Sequence, residues 1–187
     1  KYILAAEEYK IPYYVIGNGS NLLVSDKGYD GMIIMLGRDL GNITVNGDMI
    51  TAEAGTSLAR LFNTARRHSL SGLEFAAGIP GTLGGACYMN AGAYGGEMKD
   101  VLTKVVTIDR QGNTHEYKQG EMELSYRNSI FIRKQEIILS AEMKLCKGDV
   151  EKMTNKVNEL LEKRKEKQPL EYPLSLIHIS EPTRHSL

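Results

Sequence analysis

Ala76-Ala77-Gly78-Ile79-Pro80-Gly81-Thr82-Leu83-Gly84-Gly85-Ala86-Cys87-Tyr88-Met89-Asn90-Ala91-Gly92-Ala93-Tyr94-Gly95-Gly96-Glu97 is the stretch around which the chain is organised. Seven glycines in this window leave bare backbone, free to take positive φ and to approach a ligand closely. Bare amides in a turn form a concavity that binds anions, phosphate among them. A flexible linker is the plain alternative. A solvated linker would not carry Ile79, Leu83, Tyr88, Met89 and Tyr94. The stretch therefore reads as a loop for cofactor phosphates, packed on a domain core, with few side chains of its own that could build one.

Upstream lies a second glycine-polar loop, Gly17-Asn18-Gly19-Ser20-Asn21-Leu22-Leu23-Val24, after the short β-rich run Tyr13-Tyr14-Val15-Ile16. It is not the dinucleotide fingerprint, because Leu22 stands where the third glycine belongs. It is not a P-loop, since no Gly-Lys-Ser/Thr follows. Two glycines with Asn18, Ser20 and Asn21 still offer several N–H and O–H donors to a pyrophosphate. Alone this loop is equally an ordinary turn. Paired with the later loop, it suggests a two-sided cradle for one extended phosphate-bearing cofactor.

The surrounding elements follow from periodicity and turn chemistry. Lys1 to Lys10 reads as the end of a helix, stopped at Ile11-Pro12 because the residue before proline avoids helical angles. The chain thus opens inside a helix-then-strand unit, and an upstream part is expected. Met32 to Leu36 reads as a strand. Ile43-Thr44-Val45 and Met49-Ile50-Thr51-Ala52 flank the hairpin signal Asn46-Gly47-Asp48. Thr56 or Ser57 caps a helix running to about His68, with Leu58, Leu61, Phe62 and Ala65 on one face. His68, Arg66 and Arg67 complement the helix dipole, so His68 has no catalytic part. Val101–Ile108 and Thr114–Lys118 form a hairpin around Gln111-Gly112-Asn113, and Ile137–Leu145 is a further strand. Asp149 to about Lys167 is an amphipathic helix with the stripe Val150, Met153, Val157, Leu160 and Leu161. Its basic end is a solvated helix terminus.

Composition narrows the class. The net charge is zero with basic and acidic residues intermixed, so nucleic acid is not an expected partner. No apolar run reaches membrane-spanning length and no signal peptide is present, so no membrane association is expected. Cys87 and Cys146 fit no metal spacing. They read as reduced thiols of a cytoplasmic protein without a metal site.

One polar cluster stands apart: Tyr126-Arg127-Asn128-Ser129, between Leu124 and Ile130-Phe131. An arginine there can hold a carboxylate or a developing enolate with two aimed N–H donors. A structural arginine paired with a glutamate is the plain alternative.

Four motifs occur in order: Gly17 to Leu23, Gly78 to Gly85, Asn90-Ala91-Gly92-Ala93-Tyr94-Gly95, and Tyr126 to Phe131. Together they resemble the bacterial UDP-N-acetylenolpyruvoylglucosamine reductases, in the compact form of many Gram-positive bacteria. The resemblance covers Lys1 to about Pro173. It implies an α+β FAD-binding fold of the PCMH and vanillyl-alcohol-oxidase type. It places FAD against Gly17, Asn18, Gly19, Ser20, Asn21 and Leu22, and against Ile79, Pro80, Gly81, Thr82, Gly84 and Gly85. It implies that, with NADPH as reductant, the enolpyruvyl double bond of UDP-N-acetylglucosamine enolpyruvate is reduced to UDP-N-acetylmuramate for peptidoglycan. Arg127 matches the active-site arginine, Tyr126 adjoins it, and Tyr94 helps shape the nucleotide-sugar pocket. A monomer is expected.

Three departures are expected. Residues 1–146 correspond to the FAD-binding domain without its beginning. Residues 147–173 correspond to a helix and linker toward a substrate domain, missing here, that carries the proton-donor serine and its supporting glutamate. Residues 174–187 follow no family segment and resemble translated library-adapter sequence, so Ser175, His178, Ser180 and His185 carry no functional reading. A non-catalytic flavin-binding fragment, or the flavin module of another oxidoreductase of this fold, is the alternative. Neither glycine loop holds the histidine through which covalent members often attach flavin.

Overall fold

The computed structural model describes residues 1–167. The tail 174–187 and the end of the linker lie outside the described residues. Helix α1 (Tyr2–Glu8) stops where expected, before Ile11-Pro12. Strands β1 (Tyr13–Ile16) and β2 (Met32–Met35) then pair in parallel, Tyr13 opposite Met32 and Ile16 opposite Met35. Their connection contains the first glycine-polar loop.

β3 (Ile43–Asn46) and β4 (Met49–Glu53) form the expected hairpin. Gly47 at its tip takes φ +61°, which glycine adopts without a Cβ penalty. Helix α2 (Leu58–Arg67) begins at Ser57, whose hydroxyl accepts the amide of Arg60 at 3.3 Å. Leu58, Leu61, Phe62 and Ala65 are its buried face. A two-residue strand β5 (Leu70–Ser71) leads into the glycine-rich stretch.

Half of that stretch is not a loop. Leu83–Tyr88 forms a short helix, α3, with Leu83, Gly84, Ala86 and Cys87 buried. The expectation that few side chains here could build a core is thus corrected. Propensity disfavours two glycines in a helix by roughly 1 kcal/mol each. Packing overrides it: a Cβ on Gly84 would stand 2.9 Å from the Cβ of Ala54, so glycine lets α3 press against the end of β4.

Beyond α3, β6 (Gly92–Ala93) and β7 (Gly96–Glu97) make a minimal hairpin. β8 (Leu102–Ile108) and β9 (Thr114–Lys118) pair around the expected turn, with Gly112 at φ +87°. Helix α4 (Ile130–Lys134) follows the arginine motif and is capped by Ser129. β10 (Ile137–Lys144) is the central strand of the main sheet, whose order is β3-β4-β10-β8-β9, antiparallel throughout. Register shifts along β10 break strict alternation, so Ile138, Ala141 and Met143 all face the core. β11 (Cys146–Lys147) pairs with β5, and α5 (Val150–Lys167) packs Met153 and Leu160 inward.

The core lies between this sheet and helices α2 and α3. Leu58, Leu61, Leu83, Met98, Leu102, Met143 and Phe131 are fully buried there. Each such side chain stabilises the fold by about 1.5–3 kcal/mol through removal from water. The fold is α+β, as expected. It sets the end of α3 against both the arginine motif and the first glycine loop.

Candidate functional site

The two glycine loops touch. A Cβ on Gly17 would stand 2.2 Å from the hydroxyl oxygen of Thr82, so glycine at 17 lets the first loop lie against the second. Gly81 is different: its Cβ would have Ser20 Oγ at 4.0 Å and Ile79 Cγ2 at 3.9 Å, with room beyond. Gly19 takes φ +68° and faces open space. The amides of Asn18, Gly19, Ser20 and Asn21 have no protein acceptor among the described residues. Four bare amides, the Ser20 hydroxyl and two exposed carboxamides fit the oxygens of a pyrophosphate. The donor set therefore suits the phosphates of FAD. Leu22 has its amide on the carbonyl of Gly19, at 3.3 Å.

The second loop is fastened from below. Gly81 carbonyl accepts the amide of Leu58 at 3.1 Å, and Leu83 amide donates to Thr56 carbonyl at 2.8 Å. Gly84 amide donates to Ala54 carbonyl at 2.9 Å, so Gly84 serves packing. Thr82 is buried, Ile79 packs against the core, and Pro80 and Gly85 are exposed.

The end of α3 meets the arginine motif in an orderly way. Tyr88 carbonyl accepts the hydroxyl of Ser129 at 2.5 Å. Met89 Sδ receives Arg127 Nη1 at 3.6 Å and also Asn21 Nδ2 at 4.0 Å. Asn90 Nδ2 donates to Ser125 carbonyl at 3.2 Å. Three consecutive residues thus hold three alternate ones. Through Met89, Asn21 of the first loop and Arg127 reach the same atom.

Arg127 sits in a tight turn closed by two backbone bonds between Ser125 and Asn128, each 3.1 Å. Its φ is +54°, a region that a long side chain rarely occupies. Such strain costs about 1–3 kcal/mol and clusters at functional positions. The guanidinium is exposed and touches soft partners: the Met89 thioether and the ring of Tyr126, 5.8 Å away. No carboxylate pairs with it among the described residues, unlike Arg133 with Glu123 or Arg110 with Glu7. Tyr126 is 87% exposed.

Tyr94 lies on another flank. Tyr94 and Gly95 are the tip of the β6–β7 hairpin, both with positive φ (+53° and +87°), the geometry of a type I′ turn. Its ring lines a crevice with Gly78, Ile79, Leu161 and Arg164, beside α5. Arg164 donates to the carbonyl of Gly78, which ties α5 to the start of the glycine stretch.

Cys87 is buried and its thiol is pushed up strongly by desolvation, whereas Cys146 is exposed. No cluster of three metal-binding side chains occurs among the described residues. No helix there is long and apolar enough to cross a membrane. Sequence reading assigned no role to Met89, Asn90 or Ser129. Asn90 and Ser129 lay inside the quoted motifs, but their partners are 35 to 41 residues away in sequence.

The family model "FAD binding domain" matches residues 1–118. The UDP-N-acetylenolpyruvoylglucosamine reductase of Caldanaerobacter subterraneus subsp. tengcongensis is 52% identical over 164 residues, which are 88% of this chain and 54% of that protein. The chain thus spans about half the length of this curated relative. The crystal structure of the Thermus caldophilus UDP-N-acetylenolpyruvylglucosamine reductase superposes with a TM-score of 0.75 at 36% identity, covering 88% of this chain and 60% of that one. A solvent-stable cholesterol oxidase shares the fold at a TM-score of 0.61 and 14% identity, over 78% of this chain and 32% of its own. The chain therefore belongs to the FAD-binding domain family, with the PCMH-type fold, and the resemblance to UDP-N-acetylenolpyruvoylglucosamine reductases carried by its four motifs extends over 88% of its length.

Proposed function

We propose that this chain is the FAD-binding part of an enzyme that reduces UDP-N-acetylglucosamine enolpyruvate to UDP-N-acetylmuramate, with NADPH as reductant, in the cytoplasmic supply of peptidoglycan precursors. The observation that carries this reading is the meeting of Asn21 and Arg127 on Met89, beside the open backbone at Gly81. It sets a donor-rich phosphate cradle next to a guanidinium that no carboxylate neutralises among the described residues.

Asn18, Gly19, Ser20 and Asn21 bind the pyrophosphate of FAD from one side, and Gly81 and Thr82 from the other. Bound FAD supplies the hydride. Arg127 binds the carboxylate of the enolpyruvyl group. Hydride addition leaves charge on that carboxylate, so the two N–H donors stabilise the transition state more than the substrate. Tyr126 covers the guanidinium and Tyr94 borders the nucleotide-sugar site. The nucleotide sugar is the partner, and the enzyme works as a monomer.

Two measurements test this. Flavin fluorescence is titrated with the 187-residue chain: quenching to a defined stoichiometry supports the cradle, and no quenching overturns it. NADPH oxidation that depends on the enolpyruvyl nucleotide sugar is then followed in an enzyme of the relatives' full length carrying these residues. Oxidation of NADPH that ignores this substrate would overturn the substrate assignment.

A further inference from the structure

Asn90 is the best-satisfied polar side chain near the arginine motif, and it touches neither proposed ligand site. It is buried, at 4% exposure. Its Nδ2 donates to Glu97 Oε2 at 2.6 Å and to Ser125 carbonyl at 3.2 Å. Its Oδ1 accepts the amide of Lys99 at 2.9 Å. Two acceptors on one side and one donor on the other fix the amide's orientation. The backbone at Asn90 is left-handed, φ +46°, where asparagine is among the few side chains tolerated. Aspartate would share that backbone tolerance and shape. As a carboxylate it donates nothing, so Ser125 carbonyl would keep only the amide of Asn128 and Glu97 would face a like charge.

Ser125 is where the turn carrying Arg127 closes, by bonds in both directions to Asn128. The turn's other end is held by Ser129 on Tyr88 carbonyl. Between these anchors Arg127 itself has soft contacts and a strained φ. A strained conformation persists where its surroundings over-determine it. We propose that Asn90 is a positioning residue for Arg127: it clamps Ser125 to the β6–β7 hairpin and so fixes the direction in which the guanidinium leaves the turn. This rests on the reading of Arg127 given above.

The test uses the isotope-labelled 187-residue chain and two readouts that need no substrate. Amide exchange is measured at Ser125 and Asn128, and the Arg127 side-chain Nε–H signal is identified by its loss in Arg127→Ala. In Asn90→Asp, exchange at those amides should quicken about tenfold, as loss of one hydrogen bond that holds the turn implies. The Arg127 signal should move toward that of a solvated arginine. The signal of Arg60, held at 2.7 Å by Gly41 carbonyl, should stay in place and so exclude general loosening. Unchanged exchange and an unmoved Arg127 signal overturn the proposal, as does equal movement of Arg60. If Asn90→Asp does not fold, Asn90→Gly keeps the left-handed backbone without the charge and is judged by the same readouts. A turn that loosens, together with full turnover by Arg127→Ala in the longer enzyme, would overturn the role of Arg127 but not the clamp.

Discussion

Arg127 rests its Nη1 on the sulfur of Met89, 3.6 Å away. A thioether is a weak acceptor. Leaving it for a carboxylate therefore gains a charge-assisted, two-pronged hydrogen bond and forfeits little. Met89 caps the C-terminus of α3, and Asn21 of the first loop reaches the same sulfur. The side chain that meets the first glycine loop thus also holds the guanidinium.

Arg127→Ala is expected to leave FAD affinity nearly unchanged, because the role proposed for the guanidinium is toward the substrate carboxylate and not the pyrophosphate. In an enzyme of the relatives' full length, reduction of the enolpyruvyl substrate should fall about a hundred- to a thousandfold, the usual cost of a lost donor aimed at developing charge. Arg127→Lys should recover little of this, since a point charge lacks the planar fork. Stopped-flow spectroscopy follows flavin reduction and reoxidation separately. Slowed reduction with normal reoxidation would contradict the assignment.

Much of this architecture was legible in the sequence, for identifiable reasons. α2 declares itself by the stripe Leu58, Leu61, Phe62, Ala65 and by its Ser57 cap. The two sheet hairpins are marked by Gly47 and Gly112, both at positive φ. α3 was hidden because Gly84-Gly85 argues against a helix, and the force that makes one is a tertiary contact with Ala54. The candidate site divides the same way. Arg127 is visible as a polar cluster between apolar residues. Its left-handed turn, and the hold of Asn90 on Ser125 across 35 residues, are not properties of any local pattern.

The arginine motif is braced from behind by a buried carboxylate. Glu136 is 5% exposed; its two oxygens accept the hydroxyls of Thr107 at 2.5 Å and Tyr117 at 2.8 Å. Tyr117 also meets Phe131 of α4 edge to face, 5.4 Å between centroids, and receives Lys134 Nζ at 2.8 Å. Tyr117→Phe leaves a buried acceptor short of a donor and should cost about 1–3 kcal/mol. Pairing it with Glu136→Leu removes donor and acceptor together, so the double variant should lose less than the sum of the singles. Urea unfolding of the four proteins checks this, and simple additivity would refute the coupling.

Acid stability should report on the β8–β9 turn. His115 Nε2 lies 2.9 Å from Asp109 Oδ2, and Asn113 adds its backbone amide and carboxamide. The His115 bond is the main cause that lowers the Asp109 carboxyl from 3.8 to about 2, with Asn113 contributing and partial desolvation opposing. A lowered folded value means that the ionised carboxylate stabilises the fold above pH 4, and that this is lost as pH falls from about 4 toward 2. Asp109→Asn should therefore unfold more easily than the parent at pH 7, with the gap closing below pH 4. His115→Ala should bring the Asp109 carboxyl back up toward 3.8 in a proton-detected titration. A gap that widens on acidification would reverse the sign and exclude this account.

Gly81 and Gly84 stand three residues apart and should fail in opposite ways. At Gly84 a methyl group would meet Ala54 Cβ at 2.9 Å and its carbonyl oxygen at 3.3 Å, both inside the core wall. Ala54 is itself fully buried and cannot retreat. Gly84→Ala should therefore destabilise the fold by about 1–3 kcal/mol, the usual cost of overpacking, before any ligand is added. At Gly81 the nearest atoms to an added Cβ are 3.9 and 4.0 Å away, so the protein tolerates the methyl group. On the proposed reading, the same space is where the pyrophosphate approaches the amides of Asn18 to Asn21. Gly81→Val should keep the parental unfolding midpoint and lose bound FAD. The pair is decided by two measurements on each variant, a urea melt without flavin and a flavin fluorescence titration. If Gly81→Val binds FAD like the parent, the cradle lies elsewhere; if Gly84→Ala melts like the parent, α3 does not depend on that close approach.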